Sequence, residues 1–202
     1  QSAYAAWSGL GLDGRAERLE RLADLLEANR HALMATLVKE ARKTLPDALG
    51  EVREAVDFCR YYAQQARTGL QPVDLPGPTG ERNVLRYAGR GVWVCIAPWN
   101  FPLLLTIKPV IAALAAGNRV VVKPPEHTPE TSKVMAEWLR SALPEDWVQV
   151  VLGGPADAAA LTGMPFDHIF FTIFIFFINK FINIFGVNLN IKHIYISKYL
   201  KK

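Results

Sequence analysis

Asn100 has a residue type and a position that could serve catalysis. It follows an apolar run, residues 91–97, and the dipeptide Pro98-Trp99. A side-chain amide at the end of a strand can donate a hydrogen bond to an oxygen atom on which negative charge develops during a reaction. An asparagine at this point could equally be a structural turn residue, and the local sequence leaves both interpretations open.

Lys123 and Glu126 place a hydrogen-bond donor and an acceptor on one short loop after a second apolar run, residues 119–122. This combination suits the hydroxyl groups of a ribose. A carboxylate accepts a hydrogen bond from a free 2′-hydroxyl and repels a 2′-phosphate, so the pair favours NAD over NADP. The alternative is a solvated ion pair that contacts no ligand.

Gly153 and Gly154 follow a third apolar run, residues 147–152. Adjacent glycines let the backbone approach a cofactor closely, and they also occur where a helix starts. The usual dinucleotide fingerprint, GxGxxG, follows none of the apolar runs. These spacings predict a nucleotide-binding domain without specifying its reaction.

The elements that must position these residues alternate regularly along the chain. Four continuously apolar runs of strand length are separated by segments of helical character, which predicts a parallel sheet covered on both faces. We expect a doubly wound, Rossmann-like α/β fold that binds ligands beyond the carboxyl ends of its strands. Thr128 is the predicted N-cap of the second helix in this region. The predicted strands are 91–97, 119–122, 147–152 and 168–171, and the predicted helices are 107–116, 129–142 and 156–162.

Two amphipathic helices are predicted before the sheet. In the first, residues 15–42, leucines recur at spacings of three, four or seven residues. The second, residues 46–67, opens with a proline and has Cys59 on its apolar face as a core thiol. A loop rich in proline and glycine, residues 69–80, and a short strand, residues 82–87, follow.

The composition changes abruptly after Thr172, where 24 of the last 30 residues are Ile, Phe, Lys, Asn or Tyr. We therefore divide the chain into N-terminal helices with a short strand (1–90), a partial NAD-binding Rossmann-like domain (91–172) and an aberrant tail (173–202). Three interpretations of the tail are open: a membrane anchor, a strand-rich interaction segment, and a sequence error such as a frameshift. The apolar run 169–178 is far shorter than the roughly 18–20 residues of a membrane-spanning helix, and we favour the sequence error.

Charge and cysteine content argue against several classes of protein. The tail contains five lysines and no acidic residue, which leaves 18 basic and 19 acidic residues in the rest of the chain. This near-neutral part has no electrostatic footprint for nucleic acid. Cys59 and Cys95 have no paired or metal-like spacing and favour a reducing, cytoplasmic location. The histidines have no metal-ligand spacing either: His31, His127, His168 and His193.

Residues 97–129, APWNFPLLLTIKPVIAALAAGNRVVVKPPEHTP, resemble the signature region of the aldehyde dehydrogenase superfamily. That family has PWNFP, then ALAAGN, then VxKPxExTP at this spacing, and the resemblance extends over residues 1–172. Residues 40–63 are similar to the glutamate-semialdehyde dehydrogenase module of bifunctional proline-utilisation enzymes. Residues 150–161 and 165–172 look more like the class 3 and coniferyl-aldehyde branch, so the subfamily stays open.

The resemblance implies oxidation of a small-molecule aldehyde to a carboxylic acid, with NAD as the cofactor (NADP also possible) and with homo-oligomers in the family. In that chemistry a cysteine thiolate attacks the aldehyde, hydride passes to the nicotinamide, and a glutamate-activated water hydrolyses the thioester. By position, Asn100 matches the oxyanion-binding amide, and Lys123 and Glu126 match contacts to the adenosine ribose. The residues that match the cofactor-lining strand end are Ile96, Ala97, Pro98 and Trp99.

The sequence departs from the family pattern at the start of the tail. The family continues with FFTGST or FFTGNT and holds the pyrophosphate at a helix N-terminus, whereas this chain has Ile173 and Phe174 after Thr172. The catalytic glutamate and cysteine motifs do not appear, and Cys95 is expected to be too buried to replace the cysteine. We expect an inactive fragment of an aldehyde dehydrogenase. The alternatives are a non-catalytic interaction or scaffold protein and a fragment that folds only with a missing partner half.

Overall fold

Leucines on one face build the first helical region. The structure, a computed structural model, describes residues 9–144 and 147–172. Helix α1 spans Gly11–Ala28 and helix α2 spans Arg30–Ala41. The prediction of one uninterrupted helix is wrong, because the backbone of Asn29 leaves the helical conformation and its Nδ2 donates to Leu25 O at 2.8 Å. The predicted leucine stripe is confirmed, since all five leucines are fully buried: Leu19, Leu22, Leu26, Leu33 and Leu37.

Helix α3 spans Leu45–Thr68, close to the predicted bounds. Thr44 is its N-cap, and the Thr44 hydroxyl accepts a hydrogen bond from Asp47 N at 3.3 Å. Pro46 lies in the first turn, where its missing amide hydrogen leaves no bond unmade. Cys59 is buried on the apolar face of α3, which confirms that it is a core thiol.

A small hairpin follows α3. Strand β1, Val73–Leu75, pairs antiparallel with strand β2, Asn83–Leu85. The predicted strand 82–87 is therefore confirmed in shortened form. The prediction of loop throughout 69–80 is wrong at β1, whose three residues are all exposed. Val73, Asp74 and Leu75 alternate apolar and polar residues, but three residues are fewer than the roughly four to eight over which such a pattern identifies a strand.

Strands β3 to β6 form a parallel sheet in the order β5-β4-β3-β6. The prediction of a parallel, Rossmann-like sheet is confirmed. The chain passes from β3 to β4 and β5 on one side, and β6 then lies on the other side of β3, so the switch point of the sheet lies between β3 and β6. The strands span Val92–Ile96 (β3), Arg119–Lys123 (β4), Val148–Val150 (β5) and His168–Phe171 (β6).

Three helices connect these strands: α4 (Leu104–Ala115), α5 (Pro129–Ala142) and α6 (Pro155–Thr162). Helices α5 and α6 agree with the predicted bounds to within one residue. Helix α4 begins earlier than the predicted start at Ile107, because Glu51 of α3 accepts hydrogen bonds from the first amides of this helix.

The two faces of the sheet are covered unequally. One continuous core joins helices α1 to α5 with the sheet face that includes Cys95, Val120 and Val122. A smaller cluster, in which Leu161 of α6 packs on Val94 of β3, covers the opposite face. The N-terminal helices thus share their core with the sheet, while the domain boundaries at residues 90 and 172 stay predictions.

The tail, with Ile173, Phe174 and His193, lies outside the described residues. Within residues 9–144 and 147–172, no helix has the length and apolar character needed to span a membrane.

Candidate active site

The carboxyl ends of β3, β4 and β6 meet at one edge of the sheet. Ile96 is in register with Lys123 of β4 and with Phe171 of β6. Beyond the last paired residues, Ala97 N donates to Lys123 O at 3.1 Å and Thr172 N donates to Ile96 O at 3.2 Å. The ladders therefore continue to the end of each strand, and the segments that follow them start close together.

Residues 96–100 pass from the sheet into this edge. Ile96 and Ala97 are buried, Pro98 is half-buried, and Trp99 is 55% exposed. Asn100 is half-buried, and its Oδ1 atom is buried without a hydrogen-bond partner among the described residues. A buried acceptor without a donor is costly, so this Oδ1 atom favours the approach of a further hydrogen-bond donor.

Glu51 holds the start of helix α4, just beyond Asn100, and is a residue that the sequence motifs do not reveal. Its Oε1 accepts hydrogen bonds from Leu103 N at 2.9 Å and from Leu104 N at 3.1 Å. These amides belong to the first turn of the helix, where intrahelical acceptors are missing and negative charge is favourable. The available signal was a carboxylate on the apolar stripe of α3, next to Val52.

Lys43 connects Glu51 to the loop that contains Asn100. The Lys43 Nζ atom lies 2.9 Å from Glu51 Oε2 and 3.8 Å from the centroid of the Phe101 ring. Both side chains of the ion pair are almost completely buried. Burial raises the pKa of Glu51, and the opposing effects of Lys43 and the two helix amides offset this only in part.

Lys123 and Glu126 are in contact, as their spacing suggested. Lys123 is 3% exposed, and its Nζ donates a hydrogen bond to Glu126 Oε2. The Glu126 side chain is 33% exposed. Partial burial acts to raise the pKa of Glu126, but the hydrogen bond from Lys123 and the nearby positive charges outweigh it, so the pKa is below its ordinary value. The pair thus consists of a partly accessible carboxylate bound to a buried ammonium group. It is not a solvated ion pair, because Lys123 is buried.

Helix α5 begins immediately after this loop with Thr128 at its N-cap position, as predicted, but the Thr128 side chain makes no capping hydrogen bond. Thr128 precedes the helix, and its buried Oγ1 has no hydrogen-bond partner among the described residues. Glu40 of α2 caps the helix instead. Its carboxylate accepts from Glu130 N at 2.8 Å, from Thr131 N at 2.8 Å and from Thr131 Oγ1 at 2.7 Å.

Gly153 and Gly154 lie before helix α6, with Gly154 as the N-cap residue. Asp157 Oδ2 accepts a hydrogen bond from Gly154 N at 2.8 Å. A side chain at Gly153 would place Cβ 2.3 Å from the same oxygen. The close approach at Gly153 is therefore made by Asp157 of this chain, which fits a helix start, and contact of either glycine with a cofactor stays a prediction.

The two cysteines do not provide a reactive thiol at this edge of the sheet. Cys59 and Cys95 are both free thiols with no exposed surface. Burial raises the pKa of each to about 12. Neither is a thiolate nucleophile near neutral pH, and the predicted burial of Cys95 is confirmed. Among residues 9–144 and 147–172, no group of His, Cys, Asp and Glu side chains is arranged to hold a metal ion.

A groove of about 620 Å³ lies elsewhere, between the α1–α2 junction and α3. Of the arginines along it, Arg30 lies 2.7 Å from Glu27 and Arg60 lies 3.7 Å from Asp24. Because the groove contains none of the predicted site residues, we place the candidate site at the carboxyl edge of the sheet.

Sequence and structure comparisons identify the family. A family model described as "Aldehyde dehydrogenase family" matches residues 1–172. The bifunctional protein PutA of Rhizobium meliloti is 40% identical over 169 residues, which are 81% of this chain and 13% of PutA. A probable coniferyl aldehyde dehydrogenase of Pseudomonas aeruginosa is 35% identical over 178 residues, which are 85% of this chain and 37% of that protein.

Two solved structures have the same fold over most of the chain. Proline utilization A (PutA) from Bradyrhizobium japonicum matches 85% of this chain and 18% of its own length, with 45% identity and a TM-score of 0.81. A NAD-dependent benzaldehyde dehydrogenase from Corynebacterium glutamicum matches 98% of this chain and 44% of its own length, with 28% identity and a TM-score of 0.81. The chain thus spans less than half the length of each of these proteins. It belongs to the aldehyde dehydrogenase family.

Proposed function

We propose that this chain is a fragment of an NAD-dependent aldehyde dehydrogenase, in which residues 9–172 contribute the ribose contact and the oxyanion amide. The observation that carries the proposal is the placement of Asn100 and the Lys123–Glu126 pair at the carboxyl ends of two neighbouring strands, β3 and β4, whose last residues are in register. The substrate class is a small aldehyde. A cytoplasmic location and a homo-oligomeric parent protein are parts of the same proposal.

The Lys123–Glu126 pair supports the cofactor part of the proposal. Lys123 is buried and fixes one oxygen of the Glu126 carboxylate, while the side chain remains partly accessible. The lowered pKa of Glu126 keeps the carboxylate ionised at neutral pH. A fixed, ionised acceptor suits the 2′-hydroxyl of NAD and disfavours the 2′-phosphate of NADP.

The N-termini of α4, α5 and α6, the helices that connect the strands of the sheet, do not favour the pyrophosphate of NAD. Carboxylates of the protein already accept hydrogen bonds there: Glu51 at α4, Glu40 at α5 and Asp157 at α6. A phosphate at any of these ends would meet a like charge. The described residues therefore support a contact to the ribose of NAD, and we infer that its phosphates bind a group outside them.

The chemical step requires groups that these residues do not provide. Asn100 offers an amide that can donate to the aldehyde oxygen as negative charge develops on it. The hydride acceptor for the aldehyde carbon would be supplied by NAD when it is bound. A thiolate must first add to that carbon, and neither Cys59 nor Cys95 is accessible or ionised. We infer that the nucleophile and the general base belong to sequence other than residues 1–172.

Activity measurements on two proteins test this proposal. The 202-residue chain, incubated with NAD and a set of aliphatic and aromatic aldehydes, should form no NADH and bind NAD weakly or not at all. Residues 9–172 exchanged into the coniferyl-type relative should support NADH formation, because the missing groups are then present. In that exchanged protein, N100A should lower kcat by about 10²–10³-fold, and E126Q should reduce the preference for NAD over NADP.

The surface variant E27Q is the matched control for E126Q, because Glu27 also pairs with a basic residue three positions away and lies far from the edge. It should leave both kcat and cofactor preference unchanged. NADH formation by the 202-residue chain alone would refute the inference about the missing nucleophile. Full activity of N100A in the exchanged protein would refute the role of Asn100.

A further inference from the structure

Glu51 is a buried carboxylate that joins α3 to the loop preceding α4. We propose that Glu51, together with Lys43, is a positioning residue that fixes the segment 98–103 and so holds the Asn100 amide at the carboxyl edge of the sheet. The inference rests on the proposed function only for what Asn100 does. The positioning itself is a property of this chain and can be measured without substrate.

Glu51 determines where helix α4 begins. Its Oε1 accepts from two consecutive backbone amides, Leu103 N and Leu104 N. An acceptor shared by two consecutive amides fixes the direction in which the chain enters the helix as well as the position of its first turn. Asn100 lies three residues before the first of these amides, so a shift of the helix start displaces its side chain.

Lys43 holds the middle of the same segment. Its ammonium group contacts Glu51 Oε2 at 2.9 Å and lies over the ring of Phe101 at 3.8 Å. Phe101 is the residue after Asn100. The other end of the segment is fixed in the sheet, where Ala97 N donates to Lys123 O. Asn100 is thereby held from the strand, from the neighbouring ring and from the helix start.

A purely structural role does not explain a charged pair at this place. Glu51 occupies the apolar stripe of α3 next to Val52, and its carboxylate is completely buried. Burying an ion pair costs desolvation energy, and apolar residues of similar volume are often at least as stabilising. Burial raises the pKa of Glu51, which agrees with an incompletely compensated charge. The ion pair fixes the position of the helix start, because an apolar side chain could not accept hydrogen bonds from both helix amides.

Nuclear magnetic resonance of the 202-residue chain tests the proposal through a pH titration. Lys43 is the charged group that contacts Glu51 within the described residues. The backbone amide signals of Leu103 and Leu104 should shift with one midpoint above the ordinary glutamate value. The side-chain amide signals of Asn100, which does not titrate itself, should shift with the same midpoint. In E51Q the shared titration should disappear from all three residues.

The variant E40Q is the matched control, because Glu40 caps α5 in the way that Glu51 caps α4. It should leave the titration of the Asn100 signals unchanged. K43M should raise the shared midpoint further, since Lys43 acts to lower the pKa of Glu51. If E51Q does not fold, the double variant K43M/E51Q removes both charges and should also abolish the titration.

Two results would overturn the inference. One is that the Leu103 and Leu104 signals titrate in the wild-type chain while those of Asn100 do not, which would make Glu51 a helix cap alone. The other is that the Asn100 titration persists in E51Q. Neither result depends on NAD or aldehyde, so failure here is distinct from failure of the activity test on N100A.

Discussion

Helix α5 offers a direct test of which residue caps its N-terminus. The sequence favours Thr128, whereas in the structure Glu40 makes the capping bonds from helix α2. We predict that E40Q destabilises the chain and that T128V does not. The two variants separate a local cap from a tertiary one, because each removes one candidate while keeping the size of the side chain.

The expected magnitudes follow from the contacts. Glu40 accepts three hydrogen bonds of 2.7–2.8 Å. A hydrogen bond to a charged group contributes about 1.5–3 kcal/mol, and loss of an N-cap costs about 0.5–2 kcal/mol. Glutamine retains one acceptor oxygen and loses the charge, and Glu40 is half-buried, so we expect E40Q to cost about 1–2 kcal/mol. The Thr128 hydroxyl is buried without a partner, so T128V should change stability by less than about 0.5 kcal/mol or increase it.

Urea unfolding followed by circular dichroism measures these free energies, and thermal unfolding provides a second measurement. For a chain of this length, about 1 kcal/mol corresponds to about 2–4 °C in Tm, so E40Q should lower Tm by about 2–8 °C. The control is E27Q, which removes a carboxylate from an exposed pair on the preceding helix. Such pairs contribute less than about 1 kcal/mol. A loss in T128V equal to or larger than that in E40Q would refute the assignment of the cap.

Two further predictions concern titratable groups. Burial raises the pKa of Cys59 and Cys95 to about 12. A disulfide reagent should therefore modify neither thiol in the native chain at neutral pH, whereas it should modify both in urea. Rapid modification of the native chain would contradict this prediction. Glu20 and Glu51 should give opposite pH dependences of the unfolding free energy. The hydrogen bond from Arg67 lowers the pKa of Glu20, so its contribution is complete at neutral pH and is lost as pH falls through that lowered pKa. Burial raises the pKa of Glu51, so its contribution declines as pH rises through the raised pKa. Each dependence should vanish in the corresponding glutamine variant, and its persistence there would show that another group titrates.

The sheet can be predicted from the sequence because its strands are buried on both faces. Residues 92–96 and 120–122 are continuous apolar runs with proline and glycine nearby on either side, so composition marks them as strands. Strand β1 has no such mark, since all its side chains are exposed. The start of α4 cannot be predicted from local sequence either, because it depends on the Glu51 carboxylate, which lies about fifty residues earlier in the chain.

The residues of the candidate site likewise include some that can be predicted from the sequence and some that cannot. Asn100, Lys123 and Glu126 can be found from the sequence, because a parallel sheet brings the residues after its strands to one edge. The contact between Lys123 and Glu126 is local, three residues apart. Glu40 and Glu51 act on residues 90 and 52 positions away. Periodicity carries no information at such distances, and only the packing of α2 and α3 against the sheet brings these carboxylates to the loops.

The N-terminal helices are therefore part of the candidate site and not only a neighbouring structural unit. Glu51 fixes the loop after β3, and Glu40 fixes the helix that follows the Lys123–Glu126 loop after β4. Both carboxylates occupy helix N-termini that could otherwise bind an anion. They stabilise the two loops, and their negative charge disfavours an anion at either helix end. The division at residue 90 stays a prediction, and removal of residues 1–90 would leave the loops that contain Asn100 and Glu126 without these two carboxylates.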